Sequence, residues 1–195
     1  MNVMMMGMQA KPIPLPYREL PGFSKQLLSD HYQLYQGYID RLHQLEPLVA
    51  GALKRQDRWA VERLMTASGF LLNAIRLHEL YFENLTPGGK VSRPLESAQP
   101  ILVKKVELMA LGAHGWVILG VNLETGKLVL FTMKEHSQGY VASTWPVLVL
   151  DCYEHAYMRD YGIDKMAYLK AFFKNVDWTV VGGRLKTALR LHAAT

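Results

Sequence analysis

PVLVLDCYEHAYMRDY (146–161) decides how this chain is organised. Its first six residues, PVLVLD (146–151), form a continuous β-rich apolar run, the pattern of a buried strand. Asp151 ends that run, and His155 follows four residues later. A buried carboxylate needs a partner, and a metal ion is one of the few good ones. Asp-x-x-x-His alone is a weak motif, because chance produces the same spacing often.

Two other histidines give the motif its weight. Upstream, Leu27, Leu28, His31, Leu34, Tyr35, Tyr38, Leu42 and Leu45 recur at helical spacing, with Ser24 placed as N-cap. Pro47 is expected to interrupt that helix. A second helix is predicted over 58–85, with Val61, Leu64, Met65, Phe70, Leu71, Ala74, Leu77, His78 and Tyr81 near one stripe and TPGGK (86–90) as its stop. The short connection makes the two helices an antiparallel hairpin. A single histidine on an apolar helix face is more often a hydrogen-bonded core residue than a ligand. Two of them on facing helices sit where bundle metal sites are built. With Asp151 and His155 they complete a mixed nitrogen and oxygen set that suits iron or manganese, and on ligand type alone also zinc.

Downstream of residue 91 the pattern changes. A helical stretch near 96–110 leads into GWVILGV (115–121), the turn LETGK (123–127) and KLVLFTM (127–133), which together read as a β-hairpin. Residues 164–192 read as helical, broken near VDW (176–178) and at Gly182-Gly183. The expected fold is therefore α+β. An N-terminal antiparallel helical hairpin precedes a C-terminal α/β part with a small three-stranded antiparallel sheet.

Composition narrows the function classes. Half of the 195 residues are hydrophobic and 20% are charged, so the chain can bury a core and is not a disordered solvating segment. Its formal net charge of +5 is spread along the sequence rather than gathered into a basic stripe, which argues against nucleic-acid binding. A diffuse positive charge suits the attraction of a small anion. Cys152 is the lone cysteine, so no internal disulfide framework exists and a reducing compartment, the cytoplasm, is expected. The opening MNVMMMGM lacks both a basic start and a long apolar run, so it reads as a poorly ordered lead-in rather than a secretory or membrane segment. The proline-rich KPIPLPYRELPGF (11–23) reads as an extended arm.

These motifs together resemble the iron/manganese superoxide dismutase family over roughly residues 13–190. PVLVLDCYEHAYMRDY (146–161) is similar to the family's strand followed by Asp-x-Trp-Glu-His-Ala-Tyr. HYQLYQGYIDRL (31–42) and RLHELYFENLTPGGK (76–90) are similar to its first-helix and second-helix ligand motifs. GAHGWVILGV (112–121) resembles its Gly-Trp strand, and LPYRELPGF (15–23) its proline-rich opening. The resemblance implies that His31, His78, Asp151 and His155 bind one ion per chain, with solvent as fifth ligand. It also implies a helical domain over 1–90, an α/β domain over 91–195, and the metal between them. The implied reaction converts superoxide to dioxygen and hydrogen peroxide in a homodimer or higher homo-oligomer, with no membrane or nucleic-acid partner and no organic cofactor. A relative that binds metal but dismutates poorly is the alternative.

Several positions depart from the family pattern. The family's gateway tyrosine follows the first ligand by eight residues, whereas His31 and Tyr38 are seven apart. Seven residues turn about 700°, which leaves Tyr38 within about 20° of the ligand face of a regular helix. Eight requires a bulge. Tyr38 is thus expected to keep the role without the bulge, with Tyr35 as fallback. Tyr153 stands where the family has tryptophan, Tyr35 near a usual histidine, and Met158 in place of an interface tyrosine, while Glu154 remains to reach a partner's histidine. Ala74 occupies a position where many iron-type members have glutamine, and His136, in KEHSQG (134–139), resembles the alternative family solution. That assignment makes His136 catalytic alongside Tyr38 and favours iron, with manganese close behind. The competing reading of His136 is a surface loop histidine.

Overall fold

The computed structural model describes residues 10–15, 17–92, 95 and 97–194. Most of the methionine-rich lead-in, at 1–9, lies outside the described residues. Two long helices come first, α1 (Lys25–Lys54) and α2 (Arg58–Glu83). Each starts on a side-chain cap that satisfies an otherwise orphaned N–H: Ser24 accepts from the Leu27 amide and Asp57 from the Ala60 amide, both at 3.0 Å. The three-residue link between them puts Gln56 at φ +53°, which folds α2 back antiparallel on α1.

Pro47 does not interrupt α1, contrary to expectation. A mid-helix proline removes one hydrogen bond to the carbonyl four residues earlier. Here Pro47 and His43 are both exposed, so the freed carbonyl lies on the solvent side. Burial of Leu42 and Val49 on the opposite face carries the helix through. The stripe on α2 is also shorter than its sequence pattern. Met65 is exposed and Val61 and Leu64 are half-buried, because the hairpin tip projects beyond the core, whereas Leu71, Ala74, Leu77, His78 and Tyr81 are buried.

The rest is α3 (Gln99–Gly112), strands β1 (Trp116–Asn122), β2 (Leu128–Met133) and β3 (Thr144–Asp151), a 3₁₀ turn at Glu154–Ala156, a one-turn α4 (Met158–Tyr161), then α5 (Lys165–Lys174) and α6 (Trp178–His192). The sheet is antiparallel with order β2-β1-β3. β3 is an edge in pairing yet buried, since α2 and α6 pack on it. It begins at Thr144, two residues before the predicted start. Pro146 is tolerated because it lies on an edge strand beside the register shift at Leu119/Gly120.

The chain does break at 175–177, between α5 and α6, but α6 runs unbroken through Gly182-Gly183. Two glycines cost a helix about 2 kcal/mol relative to alanine. Burial of Trp178, Val181 and Ala188 and the Asp177 cap offset this. A Cβ at Gly182 would lie 2.9 Å from Ser92 Oγ, so α6 passes close to Ser92 at this point. Asn175 stitches the parts together: its amide donates to the Pro21 and Ala171 carbonyls, both at 2.8 Å, and its carbonyl accepts from the Gly88 N–H at 3.0 Å.

Because Pro47 interrupts the bonding of an otherwise regular, exposed helical turn, Pro47→Ala should stabilise the protein by about 1–2 kcal/mol, part of the intrinsic difference between the two residues. An increased urea midpoint with unchanged slope is the expected result.

Candidate metal centre

β3 and the turn after it supply two of the four candidate ligands. Asp151 is cross-strand partner to Trp116, and the Cys152 N–H bonds the Gly115 carbonyl at 2.7 Å, so strand geometry holds the carboxylate against the centre of the sheet. Asp151 Oδ1 accepts the Tyr153 N–H at 2.9 Å. Its Oδ2 is thereby left facing inward. The 3₁₀ turn then brings His155 back, with Nε2 2.9 Å from that same Oδ2.

The helical hairpin supplies the other two. His31 Nε2 lies 3.1 Å and His78 Nε2 3.8 Å from Asp151 Oδ2. All four donor atoms fall within 4.8 Å of one another. Residues separated by up to 124 positions thus converge on one point, and all but His155 are fully or almost fully buried.

The donor atoms also fit a cation chemically. His78 Nδ1 is 2.7 Å from the Ala74 carbonyl, an acceptor only, so Nδ1 carries the proton and Nε2 presents a lone pair. That Nε2 is buried and has no hydrogen-bond partner. An unmatched buried acceptor costs about 1–3 kcal/mol. A metal ion shared with His31, Asp151 and His155 would give this lone pair a partner.

Electrostatics favour the ligand form of three of the four groups, since metal binding needs neutral imidazole and ionised carboxylate. Burial pushes His31 below the ordinary histidine value, against the pull of Asp151, and pushes His78 well below it, helped by His31. Burial would raise the Asp151 carboxyl, but the imidazoles of His155 and His31 outweigh it and hold it below the usual carboxylate range. His155 is the exception. Burial lowers it, yet the Asp151 carboxylate outweighs burial and the net shift is upward.

Tyr38 and His136 meet beside this cluster. His136 is buried, so it is not the surface histidine of the competing reading. Its Nδ1 is 2.8 Å from Trp116 Nε1, and its Nε2 is 3.2 Å from the Tyr38 hydroxyl. Indole is a donor only, so His136 Nδ1 must accept and Nε2 carries the proton, which it donates to Tyr38. Burial lowers His136 to about 4, in keeping with that neutral tautomer. Burial, with Asp151 next, raises Tyr38 and keeps its hydroxyl protonated. Tyr35 does not share the fallback role: its hydroxyl accepts the Ile13 N–H at 3.0 Å and donates to Glu79 at 3.1 Å. α1 is α-helical throughout, so Tyr38 reaches its place without a bulge.

The walls are aromatic. His31 has Tyr81 and Phe82 with ring centroids at 5.0 Å, and His78 has Trp116 at 5.0 Å. Three supports escaped the sequence reading. The Asn73 amide donates to the His136 carbonyl at 2.8 Å, the Tyr168 hydroxyl donates to the Asp151 carbonyl at 2.6 Å, and the Tyr153 hydroxyl donates to the Lys134 carbonyl at 3.1 Å. All three act on backbone carbonyls, which carry no residue-type signal.

Comparison with known proteins gives the same direction. A family model for "Iron/manganese superoxide dismutases, C-terminal domain" matches residues 99–184. The chain is 31% identical to "Superoxide dismutase [Fe]" of Aquifex pyrophilus, with 91% of each chain covered. It is 30% identical to "Superoxide dismutase [Fe]" of Cupriavidus metallidurans, over 93% of this chain and 98% of that one. To "Superoxide dismutase [Mn] 2" of Haloferax volcanii it is 29% identical, over 95% and 99%. Likeness on this scale extends from the proline-rich arm to the last helix, and it places the chain in the iron/manganese superoxide dismutase family.

Proposed function

We propose that the protein is a superoxide dismutase that converts two superoxide anions and two protons into dioxygen and hydrogen peroxide. The observation that carries this reading is the convergence of three imidazoles and one carboxylate, with the His78 Nε2 lone pair buried and unmatched, in a chain of this family. His31, His78, Asp151 and His155 would hold one iron or manganese ion. The ion supplies reversible one-electron exchange, which amino-acid side chains of this set lack.

The chain's own residues do the rest. Asp151 brings the set's single formal negative charge and thereby favours the higher oxidation state. Its position is set by the Tyr153 N–H and by pairing to β1. Because His136 donates to Tyr38 from Nε2, the Tyr38 hydroxyl proton remains free to be donated into the cleft, where the forming peroxide needs protons. Trp116 fixes the His136 tautomer that makes this possible. Tyr81, Phe82 and Trp116 exclude bulk water.

Iron is the preferred ion, on the His136 arrangement and on the iron-named relatives in Aquifex and Cupriavidus. The site joins two units, 1–90 and 91–195, each contributing two ligands. A homodimer is supported by Met158, 48% exposed, and Ile163, 93% exposed, on the segment that follows His155. A buried free thiol, Cys152, supports the cytoplasm and an antioxidant role there. Among the described residues, no helix is long and apolar enough to cross a membrane.

Metal analysis of natively expressed protein, followed by activity after reloading with iron or manganese, tests the reading. About one ion per chain and dismutation with iron are expected; a fully loaded but inactive protein would contradict the function and favour the weakly active relative. His78→Ala should abolish metal retention, because it removes a ligand that no neighbour replaces; unchanged metal content would reject the site. Tyr38→Phe should keep the metal and lower turnover about tenfold, the usual scale for groups just outside the ligands. Removing the ion with chelator should lower the thermal midpoint, and re-addition should restore it, because binding is linked to folding.

A further inference from the structure

Away from the ligands, α6 carries two neighbouring rows of side chains. Gly182, Leu185, Leu189 and Ala193 follow one another at intervals of three and four residues, and so do Thr179, Gly183, Lys186 and Arg190. Both rows border a hollow of about 620 Å3 that Ser92 and Leu95 also line, a size that suits a small organic ligand. None of its lining residues is a candidate metal ligand. The first row is apolar and the second ends in two bases. Among the described residues, no carboxylate lines the space.

The glycine pair opens the floor. Gly183 has nothing within 4 Å of the place a Cβ would take, so the chain's own packing gives no reason for glycine there. Glycine inside a helix is otherwise unfavourable. At Gly182 a Cβ would lie 2.9 Å from Ser92 Oγ and 3.6 Å from a Leu95 methyl, which sets that hydroxyl directly over the apolar row. Ser92 is 6% exposed, and among the described residues its hydroxyl has no hydrogen-bond partner. A polar group so buried ordinarily has one. Thr179, the other hydroxyl at the hollow, already donates to Asp177. Arg190 meets only the Thr187 hydroxyl, at 3.3 Å, and Lys186 has no ion-pair partner among the described residues. Long basic side chains lay their stems along apolar surface and keep their charges at its edge. An apolar floor, one unmatched buried hydroxyl and a basic edge without acids fit a molecule with an apolar chain and an acidic head. A free inorganic anion would leave the apolar row unused, and a neutral lipid would leave the bases unused.

We propose that this groove along α6 binds a single-chain alkyl carboxylate, with its chain over Gly182, Gly183, Leu185 and Leu189 and its head between the Ser92 hydroxyl and the Lys186–Arg190 edge. The site is independent of the dismutase reading. The test titrates iron-loaded full-length protein with octanoate, decanoate and dodecanoate below their micelle-forming concentrations, with dodecanol and acetate as controls, and follows binding by calorimetry. One saturable site per chain is expected, tightening up to about fourfold for each added methylene that is buried. Dodecanoate should bind more tightly than dodecanol. Gly183→Leu, which favours the helix and fills the floor, should weaken dodecanoate tenfold or more, the loss of about two buried methylenes. Ser92→Ala should weaken it about fivefold, the scale of one hydrogen bond. Lys186→Gln with Arg190→Gln should weaken it up to about fivefold and leave dodecanol unchanged. Circular dichroism and metal content should stay at wild-type values throughout. Wild-type dodecanoate affinity in Gly183→Leu would overturn the site, as would the absence of saturable binding. Displacement by acetate would overturn it too, by placing the carboxylate at the metal. Equal affinity for dodecanol would overturn the acidic head. A dimer that Gly183→Leu dissociates, in a protein that binds no dodecanoate, would make the groove a contact between copies and overturn the proposal.

Discussion

A carboxylate with no exposed surface, ringed by three imidazoles, is the constraint on which this structure depends. An ionised group in such surroundings is tolerable only when matched, because an uncompensated buried charge costs several kcal/mol. Asp151 is matched on every side: the Tyr153 N–H takes one oxygen, and His31 and His155 approach the other. The elements that deliver those partners, α1, α2, β3 and the turn after it, are therefore coupled to one another through the site. The Asn175 amide reinforces the same join from the far side, tying the arm and α5 to the exit of the hairpin. Packing and chemistry share one interaction here. A change that loosened the hairpin against the sheet would separate the ligands as directly as a change of ligand.

Around this charge, direction is imposed by groups that can only donate or only accept. Ala74 supplies a carbonyl and so turns the His78 lone pair inward. Trp116 supplies an N–H and so determines which nitrogen of His136 faces Tyr38. Neither neighbour changes charge, and neither has an alternative orientation available, so the proton positions follow from the residue types. Trp116 reaches both His78 and His136 because it is the cross-strand partner of Asp151 at the end of β1. Sheet register and proton direction are thus set by one pairing.

Much of this was legible from sequence. The helical stripes carrying His31 and His78, and the apolar run ending in Asp151, are periodic signals that burial enforces strongly. The failures have a common physical form. Pro47 and Gly182-Gly183 are local breakers whose cost, a few kcal/mol, is smaller than the burial available to the helices around them. Met65 follows the apolar period but lies where α2 outruns the core, and periodicity carries no information about where a partner surface ends. His136 lies in a polar segment, and its burial depends on Phe70, Trp116 and Tyr38, which are distant in sequence. The supports from Asn73, Tyr153 and Tyr168 end on main-chain carbonyls and left no trace in residue type.

The donor set and the net charge answer the same electrostatic demand at different depths. Inside, one carboxylate among three imidazoles would leave half the charge of a divalent cation and two thirds of that of a trivalent one uncompensated, so an anion would be attracted once it reached the cleft. That attraction acts through low-dielectric walls of Tyr81, Phe82 and Trp116 and is little screened. Outside, water and salt screen it within about 8–10 Å, so the buried charge cannot select ions from solution. Selection at that range has to come from groups at the surface. The net charge of +5 contributes there diffusely. A dry ligand cage with a single negative charge therefore acts on an anion at short range, and the diffuse positive charge of the chain acts at long range.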